Sequence, residues 1–161
     1  MKRPNFIQRT LHHFFMLKPV TAFFATRTHI LDGFVLNLTG GKYTVSEIFG
    51  WNIAQIVTTG AKTGEKHTII LVAVVDGEKI ALIGSNFGRK PNPGWYYNLK
   101  KHPECEVRLN GRSGIYWARE AEGQERETYW KQAVSLYAGY EKYKERASHR
   151  QIPVMLLEPM K

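Results

Sequence analysis

The chain has 161 residues, of which 43% are hydrophobic and 23% charged, a balance that suits one globular domain burying roughly 70% of its unfolded surface. Its single cysteine, Cys105, excludes an internal disulfide, and no window approaches ~18 uninterrupted apolar residues, which excludes a membrane-spanning helix. With 23 Lys plus Arg against 14 Asp plus Glu the formal charge is +9, which attracts nucleic acid, an anionic membrane surface or a polyanionic small molecule.

The first forty residues read as helix. Ile7, Leu11, Phe14 and Phe15 recur at helical spacing, and Pro19 suits the first turn of a second helix. That helix carries Val20, Phe23, Phe24, Ile30, Leu31, Phe34 and Val35 and stops at Gly40-Gly41. Residues 1–45 are therefore expected to form a helical extension of a single domain, 1–161. Its aromatic face, beside Lys2, Arg3, Arg9 and Lys18, suits packing on the domain or on a second subunit of a homodimer. The same face suits a peripheral membrane contact. His12, His13, Lys18 and Arg27 interrupt the apolar stretch, and no small-residue cleavage site follows it. A cytoplasmic protein, with or without membrane association, is the expectation.

From Trp51 the period changes. Ile53 to Thr59 predicts a strand ending at Gly60, and Thr68 to Val75 is a nearly continuous β-branched run. Asp76-Gly77 turns that run tightly into Lys79 to Ile83. Gly84 to Gly94 is a loop rich in Gly, Asn and Pro, and Trp95 to Lys101 a short helix closed before Pro103. Glu104 to Leu109 and Arg112 to Glu120 flank the second hairpin signal, Asn110-Gly111. Glu125 to Arg146 predicts one long helix and Ile152 to Leu157 a closing strand. Two hairpins argue for antiparallel pairing and against a dinucleotide-binding doubly wound sheet. Six short strands with few helices predict an α+β fold built on a small, partly open β-barrel.

No H-e-x-x-H or C-x-x-C pattern occurs and the six histidines lack ligand spacing, so no metal is expected. Two loops stand out. Thr58 to His67 gathers two glycines, three threonine hydroxyls and two lysines, the composition of a phosphate cradle or of an ordinary polar hairpin. Ser85 to Tyr96 pairs cations with prolines and ends on aromatics; it is long for a mere connector, though a structural loop capped by Trp95 is the plain alternative.

The elements Thr59-Gly60, Lys62-Thr63-Gly64, Asp76-Gly77, Ser85-Asn86 with Gly88, then Pro93, Trp95, Asn98-Leu99 and Pro103 occur in an order and spacing that resembles the deazaflavin-dependent nitroreductase family. A second stretch joins them: Tyr137-Ala138-Gly139-Tyr140 with Tyr143, then Ile152-Pro153-Val154 to Glu158-Pro159. The resemblance implies a split β-barrel of about six mainly antiparallel strands with flanking helices, residues 51–159 forming the coenzyme-binding core. It implies an oxidoreductase that takes a hydride from reduced coenzyme F420 to a small organic acceptor: a quinone, an enone, a nitro compound or a lipid-like molecule. Lys62, Thr63 and Gly64 would hold the coenzyme's phosphate and tail, and Ser85, Asn86 and Trp95 would line its ring, with Gly88 in the same loop. Tyr137, Tyr140 and Tyr143 would form the acceptor pocket, where either one hydroxyl, Tyr140 first, donates a proton to the developing anion or all three rings serve only as pocket wall. His67 stands where family members often carry Arg, which weakens one anion contact. A helical Tyr137 and Tyr140 would share a face, with Tyr143 further round.

Beside a carrier of the same coenzyme without catalysis, two alternatives dispense with that coenzyme. One keeps the barrel and exchanges the coenzyme for FMN or haem. The other is a non-enzymatic, basic single-strand nucleic-acid binder that stacks bases on Trp95, Tyr96 and Tyr97; these aromatics start a predicted helix instead of alternating along a strand, so no nucleic-acid partner is expected.

Overall fold

The computed structural model describes residues 52–160; the expected helical extension, with its membrane or dimer contacts, lies outside the described residues. Six strands, β1 (Asn52–Thr59), β2 (Lys66–Asp76), β3 (Lys79–Ile83), β4 (Glu104–Leu109), β5 (Arg112–Glu120) and β6 (Val154–Pro159), pair antiparallel throughout. Their order β1-β2-β3-β6-β5-β4 closes into a barrel. Closure runs through β1 and β4, with Gln55 opposite Arg108 and Val57 opposite Glu106, so the sheet is fully closed where local patterning predicted a partly open one. Among the described residues three α-helices flank it: α1 (Gly94–Lys101), α2 (Gly123–Leu136) and α3 (Gly139–Arg146).

The hairpin signals act as their chemistry requires. Leu109 faces Arg112 across a two-residue loop in which Asn110 and Gly111 both take left-handed backbone, φ 52° and 73°. That is the twist-matched turn that Asn-Gly favours.

Two cores sit back to back across one part of the barrel wall. Inside it, Ile56, Ile80, Leu82, Val107, Met155 and Leu157 are buried, and Trp95 and Leu99 of α1 join them. Outside it, Val74, Ala81, Ile83, Val154 and Leu156 pack under Tyr129, Trp130 and Ala133 of α2 and Tyr140 and Tyr143 of α3. β3 and β6 are therefore apolar on both faces, which explains their unbroken hydrophobic runs. On the remaining wall Ile115 and Trp117 of β5 point outward and are exposed. Arg119 ties the start of α2 to the barrel by a bidentate pair with Glu125 at 2.7 and 2.8 Å and a bond to Glu158 at 3.1 Å.

The single helix expected from Glu125 to Arg146 is two. Tyr137 takes extended backbone (φ −146°, ψ 101°) after Leu136, and the chain re-enters helix at Gly139. A side chain at Gly139 would run into the Tyr137 ring, which lies against the bare glycine. Glycine in a helical pattern is a break signal, and here it gives an aromatic ring room to fold back.

Cys105 lies in the barrel interior, 2% exposed, and burial pushes its thiol up to about 12. Near pH 8 it should thus be inert: a disulfide reagent should label no thiol in the native protein and one per chain after denaturation. Rapid native labelling would contradict the buried placement.

Candidate functional site

Antiparallel pairing puts the C-terminal ends of β1 and β3 and the N-terminal end of β6 at one pole of the barrel. Both unusual loops, residues 60–65 and 84–93, therefore leave the barrel together, with α1 following the second. The two hairpin turns lie at the opposite pole.

The first loop is built around Asn98 of α1. Its amide donates to the hydroxyl of buried Thr58 at 3.1 Å and accepts from the Ala61 amide at 2.9 Å, while Lys101 donates to the Ala61 carbonyl at 2.7 Å. Gly60 and Gly64 close the turn: Gly64 N–H donates to Gly60 O at 2.9 Å and Gly60 N–H to Glu65 O at 2.7 Å. Thr63 Oγ1 accepts from Glu65 N–H at 3.2 Å. The Thr63 hydroxyl and the His67 ring both crowd the open face of Gly60, so Thr63 and His67, apart in sequence, meet over one backbone position. The side chains of Lys62, Thr63 and His67 are exposed, and the amides of Lys62 and Thr63 meet no protein acceptor among the described residues. Two free amides beside an ammonium, a hydroxyl and an imidazole form a donor set that fits an anion such as a phosphodiester.

The second loop makes a short 3₁₀ turn, Asn86–Gly88, after Ser85. Asn86 and Phe87 both take left-handed backbone, φ 45° and 58°, and Asn86 donates to the Pro91 carbonyl at 2.9 Å. Gly88 lies where a Cβ would come 3.1 Å from the Tyr143 carbonyl, so only glycine lets the loop close on α3. Phe87 then sets its ring on that of Tyr143, centroids 5.9 Å apart. Trp95, by contrast, turns into the barrel core and is 7% exposed, so its ring supports the loop from behind.

The three tyrosines do come together, by a different geometry from the one expected. Tyr140 and Tyr143 share α3, and Tyr137 reaches them from the break ahead of it. Ring centroids are 5.6 Å apart for Tyr137 and Tyr140, 6.1 Å for Tyr137 and Tyr143, and 6.1 Å for Tyr140 and Tyr143. The hydroxyls of Tyr137 and Tyr143 lie 3.5 Å apart. Burial raises the phenol pKa of both Tyr140 and Tyr143, and for Tyr143 the bond to Tyr137 adds to it. Both therefore stay protonated, as a proton donor must. Loop 84–93 and the tyrosine cluster are thus in contact, joined at Phe87 and Tyr143.

Sequence reasoning missed Arg150, on the connection from α3 to β6. Its guanidinium donates to Ser85 O at 2.8 Å, Asn92 Oδ1 at 2.7 Å, Arg89 O at 3.2 Å and Gly84 O at 3.3 Å. No sequence signal marks it, because three of these four acceptors are backbone carbonyls distant in the chain. Among the described residues no three His, Cys, Asp or Glu side chains converge as metal ligands, and no helix is long and apolar enough to cross a membrane.

A family model described as F420H(2)-dependent quinone reductase matches residues 34–159. A protein named F420H(2)-dependent quinone reductase from Mycobacterium tuberculosis is 40% identical over 52 residues, 32% of this chain and 35% of that protein. The aligned stretch thus spans about a third of the length of the relatives it matches. Among solved structures, one described as an F420-H2 dependent reductase superposes with a TM-score of 0.61 at 38% identity, covering 66% of this chain and 93% of that one. Another, described as a domain-swapped dimer, gives a TM-score of 0.62 at 38% identity over 66% of this chain and 79% of that one.

Proposed function

The chain belongs to the F420H(2)-dependent quinone reductase family, and from that premise we propose that it is an oxidoreductase that binds reduced coenzyme F420 and reduces a quinone or a related small organic acceptor. The observation that carries the proposal is the juxtaposition at one pole of an anion-fitted turn, Lys62 to Gly64, and a loop that meets the cluster of three tyrosines at Tyr143. When bound, the deazaflavin supplies a hydride; the remaining work falls to the protein.

Lys62, the amides of Lys62 and Thr63 and the Thr63 hydroxyl bind the phosphate and acidic tail, with the His67 ring beside them. Ser85, Asn86 and Gly88 shape the wall beside the ring system, and buried Trp95 stiffens it. The tyrosine cluster holds the acceptor and excludes water, and a protonated phenol stabilises or protonates the oxygen on which negative charge develops. The chain's excess of cations attracts a polyanionic coenzyme without any nucleic acid. A homodimer accords with the description of one solved relative, and the exposed Ile115 and Trp117 give a second copy apolar area to cover.

The test is a titration with oxidised and reduced F420, FMN and NADPH, followed by fluorescence. F420 should bind in clear preference to FMN, with affinity falling as salt rises because the tail contacts are ionic. Lys62→Ala should cost about 1–3 kcal/mol of coenzyme binding without unfolding the barrel, since the side chain lies on an exposed turn. Tighter binding of FMN, salt-indifferent affinity, or an unchanged Lys62→Ala variant would refute these assignments.

A further inference from the structure

Arg150 donates to four acceptors, and all four belong to one loop: Gly84 O, Ser85 O, Arg89 O and Asn92 Oδ1. A planar guanidinium with a rigid fork of donors can serve such scattered acceptors at once, where an ammonium would serve fewer. The loop has reason to need it. Asn86 and Phe87 both sit in left-handed backbone, a conformation that persists in non-glycine residues only when the surroundings over-determine it.

The clamp also aims donors. Every peptide bond here is trans, so each carbonyl points opposite to the N–H of the same peptide unit. With Ser85 O and Arg89 O turned towards Arg150, the amides of Asn86 and Lys90 are turned away from it. Neither meets a protein acceptor among the described residues. Among the described residues no carboxylate pairs with Arg150, and its positive charge beneath the loop favours negative charge above it. The same loop conformation sets Phe87 on Tyr143, which links coenzyme wall and acceptor wall.

We infer that Arg150 is a positioning residue: by holding the carbonyls of loop 84–92 it presents that loop's free amides to the coenzyme and keeps Phe87 in register with the tyrosines. The inference rests on the coenzyme reading above.

The experiment compares the full-length chain with Arg150→Met, Arg150→Lys and Asn92→Ala, the last removing one clamp contact while leaving the guanidinium in place. Each is titrated with oxidised F420, assayed for coenzyme and quinone KM and for kcat, and examined by hydrogen exchange over residues 84–92. The expected result is a coenzyme Kd raised roughly 10–100-fold in Arg150→Met, partly restored in Arg150→Lys, and raised a few-fold in Asn92→Ala. Exchange should accelerate in the loop and stay unchanged in the barrel strands, with quinone KM near wild type. Wild-type coenzyme affinity in Arg150→Met or Asn92→Ala, beside a wild type that binds, overturns the positioning role alone. So does a loss shared equally with the barrel strands and not relieved by Lys, which is the mark of a general structural role. A wild-type protein that does not bind F420 overturns the coenzyme reading and this role together.

Discussion

Tyr140→Phe is expected to lower the single-turnover rate of hydride transfer by roughly 10²-fold, the low end for loss of a general acid, while coenzyme affinity barely moves. Three features select Tyr140 among the cluster. It is 8% exposed, burial raises its phenol pKa, and its hydroxyl makes no hydrogen bond within the described residues, whereas those of Tyr137 and Tyr143 lie within reach of each other. A desolvated phenol without a competing partner is well suited to meet an acceptor oxygen on which charge develops.

The pH dependence follows from the sign of the shift. A phenol whose folded pKa is raised keeps its proton through and beyond the ordinary tyrosine value of about 10. The hydride-transfer rate should therefore not fall between about pH 7 and 10 on account of this group. Tyr143→Phe should have a smaller effect, because removing its hydroxyl still leaves Tyr140 in place. If all three rings serve only as wall, every Phe variant will stay within a few-fold of wild type. Stopped-flow rates for the three variants decide between the two roles.

Leu157→Ala is expected to lower the free energy of unfolding by about 2–5 kcal/mol. Leu157 is fully buried inside the barrel, with Ile80 and Ala118 opposite it on the two flanking strands, so neighbours on a closed sheet have little freedom to collapse into the cavity. For a chain of this size each kcal/mol moves the thermal midpoint by about 2–4 °C. Its neighbour on the other face, Leu156, is equally buried but packs with Tyr140 and Tyr143. Leu156→Ala should destabilise comparably and in addition slow hydride transfer, whereas Leu157→Ala should leave the rate of the folded fraction near wild type. Urea unfolding combined with the transient assay separates the two, and a cost below about 1 kcal/mol for Leu157→Ala would contradict a rigid interior.

The strands, the short helix α1 and both hairpins were legible in the sequence because each depends on residues close together. Asn110-Gly111 sets its own turn by left-handed backbone, and the β-branched run of β2 predicts extended chain wherever it is placed. The two loops that form the pole were legible by composition, since glycine, lysine and threonine in one turn, or proline and asparagine in one connector, need no partner to be recognised. Membership of the family rested on the order of such local pieces over residues 51–159.

What only the tertiary structure decided depends on contacts between distant parts of the chain. Closure of the barrel between β1 and β4 joins residues some fifty positions apart, and loop-closing pairings of that length leave no local pattern. The break at Tyr137 was hidden because helical periodicity continues across it, and only the ring lying on Gly139 turns that glycine into a boundary. Trp95, a candidate wall residue by sequence, was drawn into the barrel because a large apolar ring gains more from burial there than from exposure in a loop. Arg150 lay outside the sequence reading for the complementary reason. A guanidinium that holds backbone carbonyls can serve almost any sequence, so its role resides in where folding brings those carbonyls and not in which residues carry them.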